Sequence, residues 1–155
     1  MMLGSFELAA YHHKIARELN PNDADVIATG SYLEAFGDKP EKALVLLDVA
    51  KKLCPIEPYW YHEPKGIALY GLRRYAEAAD VFERASARVP YSYRYLAACY
   101  AQMGEMAKAK AAAAKSLELQ PDFTLAEWMK DEPYRSSDGL AHMLEGLRKA
   151  GLPEV

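Results

Sequence analysis

The chain has 155 residues, 51% of them apolar, with 19 basic against 22 acidic side chains and a net charge of −3. That length is one domain's worth, and half the residues being apolar supports a continuous core. Balanced charge without a basic stripe argues against nucleic-acid binding, which rests on phosphate neutralisation.

In chain order, residues 5–21 read as one helix closing at Pro21. Helical runs then end at Pro55, Pro90 and Pro121, at intervals of 34, 35 and 31 residues. A period near 34 is a mark of helical-hairpin repeats. Five residues before each proline stand Ala16, Ala50, Ala85 and Ser116. Eight before stand His13, Leu47, Phe82 and Ala113, and twelve before stand Ala9, Ala43, Ala78 and Ala109. These columns fall near one face of a helix, and small residues there let a second helix approach.

That second helix precedes each of the last three runs. It carries Gly30 with Leu33, Gly66 with Leu69, and Ala97 with Tyr100. Short turns join the pairs at 37–40, 72–75 and 103–106. Gly37 and Gly104 suit the left-handed conformation that ends a helix; Arg73 takes the same place with a weaker cap, and one residue is inserted around Asp38–Pro40. The chain divides into the second helix of a partial unit (5–21), full units at 22–55, 59–89 and 90–121, and a C-terminal segment at 122–155. Read alone, Tyr59-Trp60-Tyr61 and the stretch from Tyr91 to Tyr95 look β-prone. The repeat frame makes each the opening of a first helix, with Pro64 delaying one start to near residue 64.

Beyond Pro121, Thr124 and Glu127 form a capping box, and Phe123 with Trp128 form a hydrophobic staple. Pro133 ends this short helix, with Asp131 and Glu132 as its solvated end. A last helix opens near Ser137 or Asp138 and carries an apolar stripe of Leu140, Met143, Leu144 and Leu147. Gly151 and Pro153 close it. Residues 123–150 are expected to cap the naked face of the last hairpin, as terminal segments of repeat arrays do.

The set Gly66, Leu69, Tyr75, Ala78, Phe82, Ala85 and Pro90, followed by Leu96, Tyr100, Gly104, Ala109 and Pro121, resembles the tetratricopeptide (TPR) family over about residues 5–121. The resemblance implies an all-α fold, a right-handed superhelix of α-α hairpins with C-terminal capping helices. It also implies a non-catalytic protein- or peptide-binding scaffold whose ligands meet the first helices along a concave groove. On those helices the candidate partner-binding residues are Trp60, Glu63, Ile67, Tyr70, Tyr91, Arg94, Tyr95 and Gln102. Aromatic side chains and Arg give large contact area and charge-assisted bonds. Trp60, Tyr91 and Tyr95 serve equally well as packing between helices, and Tyr100 is expected in the core. The carboxylate-gripping residues of chaperone-binding TPRs are absent, except that Arg94 occupies one such place. A second resemblance links residues 123–153 to the extreme C-termini of bacterial proteins that carry TPR arrays behind class III adenylate/guanylate cyclase domains or winged-helix regulators. No residues for either activity stand in this chain.

No enzyme, cofactor or metal motif emerges. Adjacent His12 and His13 point about 100° apart on a helix, and neither they nor His62 and His142 have a zinc-like partner spacing. No glycine-rich phosphate loop occurs. Cys54 and Cys99 read as free thiols in a reducing, cytoplasmic setting. No signal peptide or membrane span is expected. Two alternatives stand beside the scaffold: a small-molecule sensor whose pocket holds Trp60, His62, Tyr70 and Tyr91, and self-association into a homo-oligomer through an uncapped end.

Overall fold

The computed structural model describes residues 5–85, 89–132 and 134–155, and every regular element among them is helical. Helix α1 (Ser5–Leu19) is followed by three hairpins: α2 (Ala24–Phe36) with α3 (Pro40–Leu53), α4 (His62–Gly71) with α5 (Tyr75–Ala85), and α6 (Pro90–Gln102) with α7 (Met106–Leu119). Then come α8 (Leu125–Asp131) and α9 (Ser137–Lys149). The result is a solenoid of helical hairpins.

Local chemistry fixes the starts. The Asp23 carboxylate accepts from the Val26 N–H at 3.0 Å, and Ser136 Oγ accepts from the Gly139 N–H at 3.2 Å. These side chains satisfy donors that a first turn leaves unpaired. Pro40 and Pro90 open α3 and α6, where no intrahelical donor is lost. Thr124 caps α8 by accepting from the Glu127 N–H. The reciprocal half of the box is not made, because the Glu127 side chain pairs with Lys130 at 2.6 Å. Pro133 lies outside the described residues.

The repeat columns do the packing. Ala43, Ala78 and Ala109 are fully buried where hairpin partners meet, while their column-mate Ala9 on α1 is exposed. Ala50 and Ser116 are also buried, and the Ser116 hydroxyl donates to the Pro90 carbonyl at 3.2 Å, hooking α7 to the start of α6. The side chain of Ala85 lies outside the described residues. A Cβ on Gly66 would stand 2.5 Å from the Phe82 ring, and one on Gly30 would stand 2.6 Å from the His13 ring. Those glycines are small because a neighbouring helix presses a ring against the backbone.

Two turn details depart from expectation. In the first hairpin the left-handed residue is Asp38 (φ 64°), not Gly37 (φ −93°), which is the effect of the inserted residue. Gly37 is small for another reason, since its Cβ would lie 2.5 Å from the Leu33 carbonyl oxygen. Arg73 (φ 60°) and Gly104 (φ 78°) take the left-handed places in the other two turns. Finally, Tyr59–Tyr61 forms a 3₁₀ turn and α4 begins at His62, before Pro64, which still falls in the first turn where its missing N–H is harmless.

The C-terminal segment does not simply cap the end of the stack. Helix α9 lies against α6 and reaches α4, and Arg135 just before it bonds to the end of α2, along the face formed by the first helices. Its Met143, Leu144 and Leu147 join Phe82, Tyr95, Leu96 and Trp128 in the main core. A smaller core holds Ile27, Ala28, Leu47, Ala50 and Tyr61, with Trp60 packed against it. Main-chain bonds from Leu125 N to Pro153 O (2.9 Å) and Ala126 N to Glu154 O (3.0 Å) pin the C-terminal strand of chain to the start of α8.

Candidate interaction site

The first-helix face is built and then covered by the same chain. Gly146 brings α9 so close that a Cβ there would stand 2.9 Å from Ala98 Cβ and 2.5 Å from the Tyr70 hydroxyl. Tyr70 donates to the His142 carbonyl at 3.1 Å, Gln102 Nε2 reaches the Tyr70 hydroxyl at 3.5 Å, and Lys149 Nζ donates to Gln102 Oε1 at 3.0 Å. Tyr95 and Tyr134 share a hydroxyl–hydroxyl bond of 2.6 Å, and Tyr91 donates to Tyr95 at 3.4 Å. Tyr134 also meets Phe36 edge-on at 5.0 Å. Further along, the Arg135 N–H donates to the Phe36 carbonyl at 2.9 Å and the Ser136 hydroxyl to Asp38 at 2.6 Å. Residues 134–149 thus run as a strap across the ends and faces of α2, α4 and α6.

Of the eight candidate residues, Tyr70, Tyr91, Tyr95 and Gln102 hold this strap or its neighbours, and Ile67 is buried in the main core. Arg94 is buried beside α8. Trp60 lies apart from them, while the Glu63 charge reaches Tyr91. Trp60 packs edge-on to Tyr61 at 4.5 Å in the smaller core, and Glu63 accepts from the Tyr32 hydroxyl at 2.7 Å. The four residues of the sensor alternative are therefore not gathered into one pocket, because Trp60 belongs to one core and Tyr70 to the other. Burial raises the Tyr70, Tyr95 and Tyr134 phenols above their ordinary range, so all three remain protonated donors.

A cavity of about 340 Å³ remains beside the strap, lined by Tyr70, Arg73, Tyr134, Asp138 and His142 among others. His142 Nε2 lies 3.1 Å from the Tyr75 hydroxyl. Burial first, and then the Arg73 charge, hold this imidazole below its ordinary pKa. Among the described residues no cluster of His, Cys, Asp or Glu is placed to hold a metal ion. Both cysteines are free. No described helix is long and apolar enough to cross a membrane.

The sequence reading missed Tyr134, His142 and Glu132. Glu132 is not a solvated helix end: one of its carboxylate oxygens is buried. The available signal was Gly146 on the apolar side of its helix, which marks close approach to another backbone.

The second helices divide the outer surface. Helix α1 exposes Leu8, Tyr11, Ile15 and Leu19, and α3 exposes Val45, Val49 and Leu53. By contrast α5 exposes Glu77, Asp80 and Arg84, and α7 exposes Lys108, Lys110, Lys115 and Glu118.

These features define an all-α solenoid of helical hairpins, an architecture like that of TPR arrays. Solved structures of MamA share the architecture. "MamA 41-end from Desulfovibrio magneticus RS-1" aligns at a TM-score of 0.62 and 21% identity, covering 96% of this chain and 88% of that one. "Crystal structure of MamA" aligns at 0.63 and 18%, covering 97% and 94%. Likeness at this identity shows the fold. No family model matches the chain and the search of curated proteins gives no match, so the cyclase- or winged-helix-linked resemblance of residues 123–153 finds no support.

Proposed function

We propose that the protein is a non-catalytic scaffold that binds a protein or peptide segment on its first-helix face, in competition with its own residues 134–149, in a reducing cytoplasmic setting. One observation carries this reading. The face already seats an amphipathic helix, α9, through a glycine at the crossing and a set of tyrosine hydroxyls at the rim. A surface that takes one such helix is a receptor for others of like shape. Tyr70, Tyr91, Arg94, Tyr95 and Gln102 are its central residues, with Trp60, Glu63 and Ile67 toward the N-terminal half.

The test is a fluorescently labelled peptide of residues 134–152 added to the full chain and to its Gly146→Leu variant. In the parent chain the tethered strap outcompetes the peptide, because tethering gives an effective concentration on the order of millimolar. In the variant the strap is loosened and the peptide binds. Equal anisotropy in both, with the variant folded, would remove the groove from consideration. A second reading, self-association, is favoured by the exposed apolar rows on α1 and α3. Sedimentation that is concentration-dependent in the parent and monomeric in Ile15→Asp would support it.

A further inference from the structure

A second cavity, of about 230 Å³, opens where α1, the α2–α3 turn and the start of the strap meet. Phe6 and Lys14 stand about two helical turns apart on one side of α1, and both line it. Leu33 and Gly37 form the wall from α2, and a Cβ on Gly37 would stand 3.0 Å from Phe6 Cζ. Lys39 follows the left-handed Asp38, and its N–H donates to the Glu34 carbonyl at 2.9 Å. Arg135 arrives with the strap. Its N–H donates to the Phe36 carbonyl at 2.9 Å, and its guanidinium lies 5.6 Å from the centre of the Phe6 ring.

The charges around this space do not balance. Among the described residues that line it, Lys14, Lys39 and Arg135 are cations and Glu34 is the one acid. The Glu34 carboxylate is already taken by Lys42 Nζ at 2.5 Å. Lys39 and Arg135 have no carboxylate partner among the described residues. Lys14 has Glu18 at 4.0 Å, with both groups largely in water, a pair worth little. The Asp38 carboxylate accepts from the Ser136 hydroxyl at 2.6 Å and lines the neighbouring cavity. His13 has its Nε2–H committed to the Val26 carbonyl at 2.8 Å. Elsewhere on the surface a cation commonly meets an acid within one turn, as Arg74 meets Glu77 and Lys149 meets Glu145. The three cations come from distant parts of the sequence, so the balanced composition conceals the patch that folding assembles.

We propose that this cavity docks an acidic peptide segment of a partner protein, its carboxylates on Lys14, Lys39 and Arg135 and one apolar side chain against Phe6 and Leu33. Charge complementarity sets the sign of the occupant. The donors set its class. The Lys39 and Arg135 N–H groups are spent on carbonyls, so an anion here meets cations on long stems rather than the nest of main-chain donors that clasps a lone phosphate. Carboxylates spaced along a chain suit such stems, and the apolar wall adds nothing to an inorganic anion. Nucleic acid needs a run of phosphate contacts, which a chain of net charge −3 opposes beyond this patch. The site uses the strap in its docked position and none of the first-helix candidate residues, so it does not depend on that face receiving a partner.

The experiment titrates the isotope-labelled full chain with acetyl-Glu-Glu-Leu-Glu-Glu amide and follows the amide resonances. Saturable shifts are expected at residues 33–39 and 135–136, with a Kd below about 1 mM, the weak range that exposed ion pairs allow. Glutamine in place of every glutamate should abolish binding, and glycine in place of the leucine should weaken it about threefold. Raising the salt from about 50 to about 300 mM should weaken it about fivefold, because exposed charges are screened. Lys14 and Lys39 are exposed and the Lys39 side chain makes no capping bond, so Lys14→Gln and Lys39→Gln keep the fold. Each should weaken the peptide about threefold and the double variant about tenfold, while Lys110→Gln on α7 leaves it unchanged. No saturable shift up to about 5 mM peptide, equal binding of the glutamine peptide, or unchanged affinity in the double variant would each overturn the proposal. Tighter binding of inorganic phosphate or of an oligothymidine at the same residues would also overturn it, in favour of a phosphate site.

Discussion

Gly146 offers a test by sign. On a solvent-facing helix, glycine is less favourable than leucine by most of the roughly 1 kcal/mol that separates it from alanine. If α9 were undocked, Gly146→Leu would stabilise the chain by about that amount. The structure predicts the opposite. A Cβ alone would stand 2.9 Å from Ala98 Cβ, 3.2 Å from Ala98 Cα and 2.5 Å from the Tyr70 hydroxyl. Ala98 belongs to the backbone of α6 and cannot rotate away, so helix α9 has to lift. Overpacking of this kind costs about 1–3 kcal/mol, and leucine's further carbons place it at the upper end. Offsetting the gain in helix propensity leaves a net loss of about 2 kcal/mol. In a chain of this size that lowers the melting midpoint by roughly 4–8 °C, taking about 2–4 °C per kcal/mol. Thermal unfolding followed by circular dichroism reads it directly. A Leu variant that melts at or above the parent would refute the docking of α9 on α6.

Gly66→Leu should lower the denaturant midpoint by an amount matching about 1–3 kcal/mol at unchanged slope, since the Phe82 ring stands 2.5 Å from the new Cβ; a neutral result would contradict the hairpin packing. Tyr134→Phe removes the 2.6 Å partner of the buried Tyr95 hydroxyl and leaves it only Tyr91 at 3.4 Å. The cost is about 1–2 kcal/mol, and hydrogen exchange across residues 134–149 should quicken ahead of the rest of the chain. Glu132 is raised from 4.5 to about 7. Its folded form therefore keeps a proton that the unfolded chain releases, and the stability this gives is full below pH 4.5 and lost as pH rises through about 7. Because the carboxyl is partly exposed, the conversion is discounted to about 1–2 kcal/mol. Glu132→Gln should then match the parent at pH 4 and exceed it at pH 8 in urea titrations. His142 runs the other way. Its folded pKa is depressed by burial, so its contribution is present above pH 6.5 and fades on acidification; His142→Gln should soften the loss of stability on the acid side.

The repeat was legible because its columns obey a steric rule that composition cannot hide. Ala43, Ala78 and Ala109 are small where helices cross, and each is buried as that rule requires. The C-terminal stripe of Met143, Leu144 and Leu147 was equally legible as an apolar face. What it would face was not. A stripe specifies an apolar destination, and the end of the stack and the first-helix face both qualify. The choice lies in contacts distant in sequence, such as Tyr95 with Tyr134 and Asp38 with Ser136, which no local pattern encodes. For Tyr91 and Tyr95 packing and groove were equal readings, and the choice between them rested on the same distant contacts. Glu132 read as solvated because a carboxylate beside a proline at a helix end ordinarily is; the indole of Trp128 stands one turn earlier on the same helix, but the guanidinium of Arg94 that faces it comes from α6, distant in sequence.

One device serves both directions of assembly in this molecule. Along the stack, Gly66 gives way to the Phe82 ring; across it, Gly146 gives way to Ala98 and the Tyr70 hydroxyl. In each case a residue without a side chain lets a neighbouring element reach backbone. The consequence for recognition is geometric. Any helix that replaces α9 has to carry a small residue at the crossing over Ala98, and an apolar row on the same side as Met143 and Leu147. A bulky residue at that crossing excludes a competitor by the same clash that should loosen α9 in the Leu variant. On the proposed function, the first-helix face would select by what a partner lacks at one position as much as by the apolar row it presents.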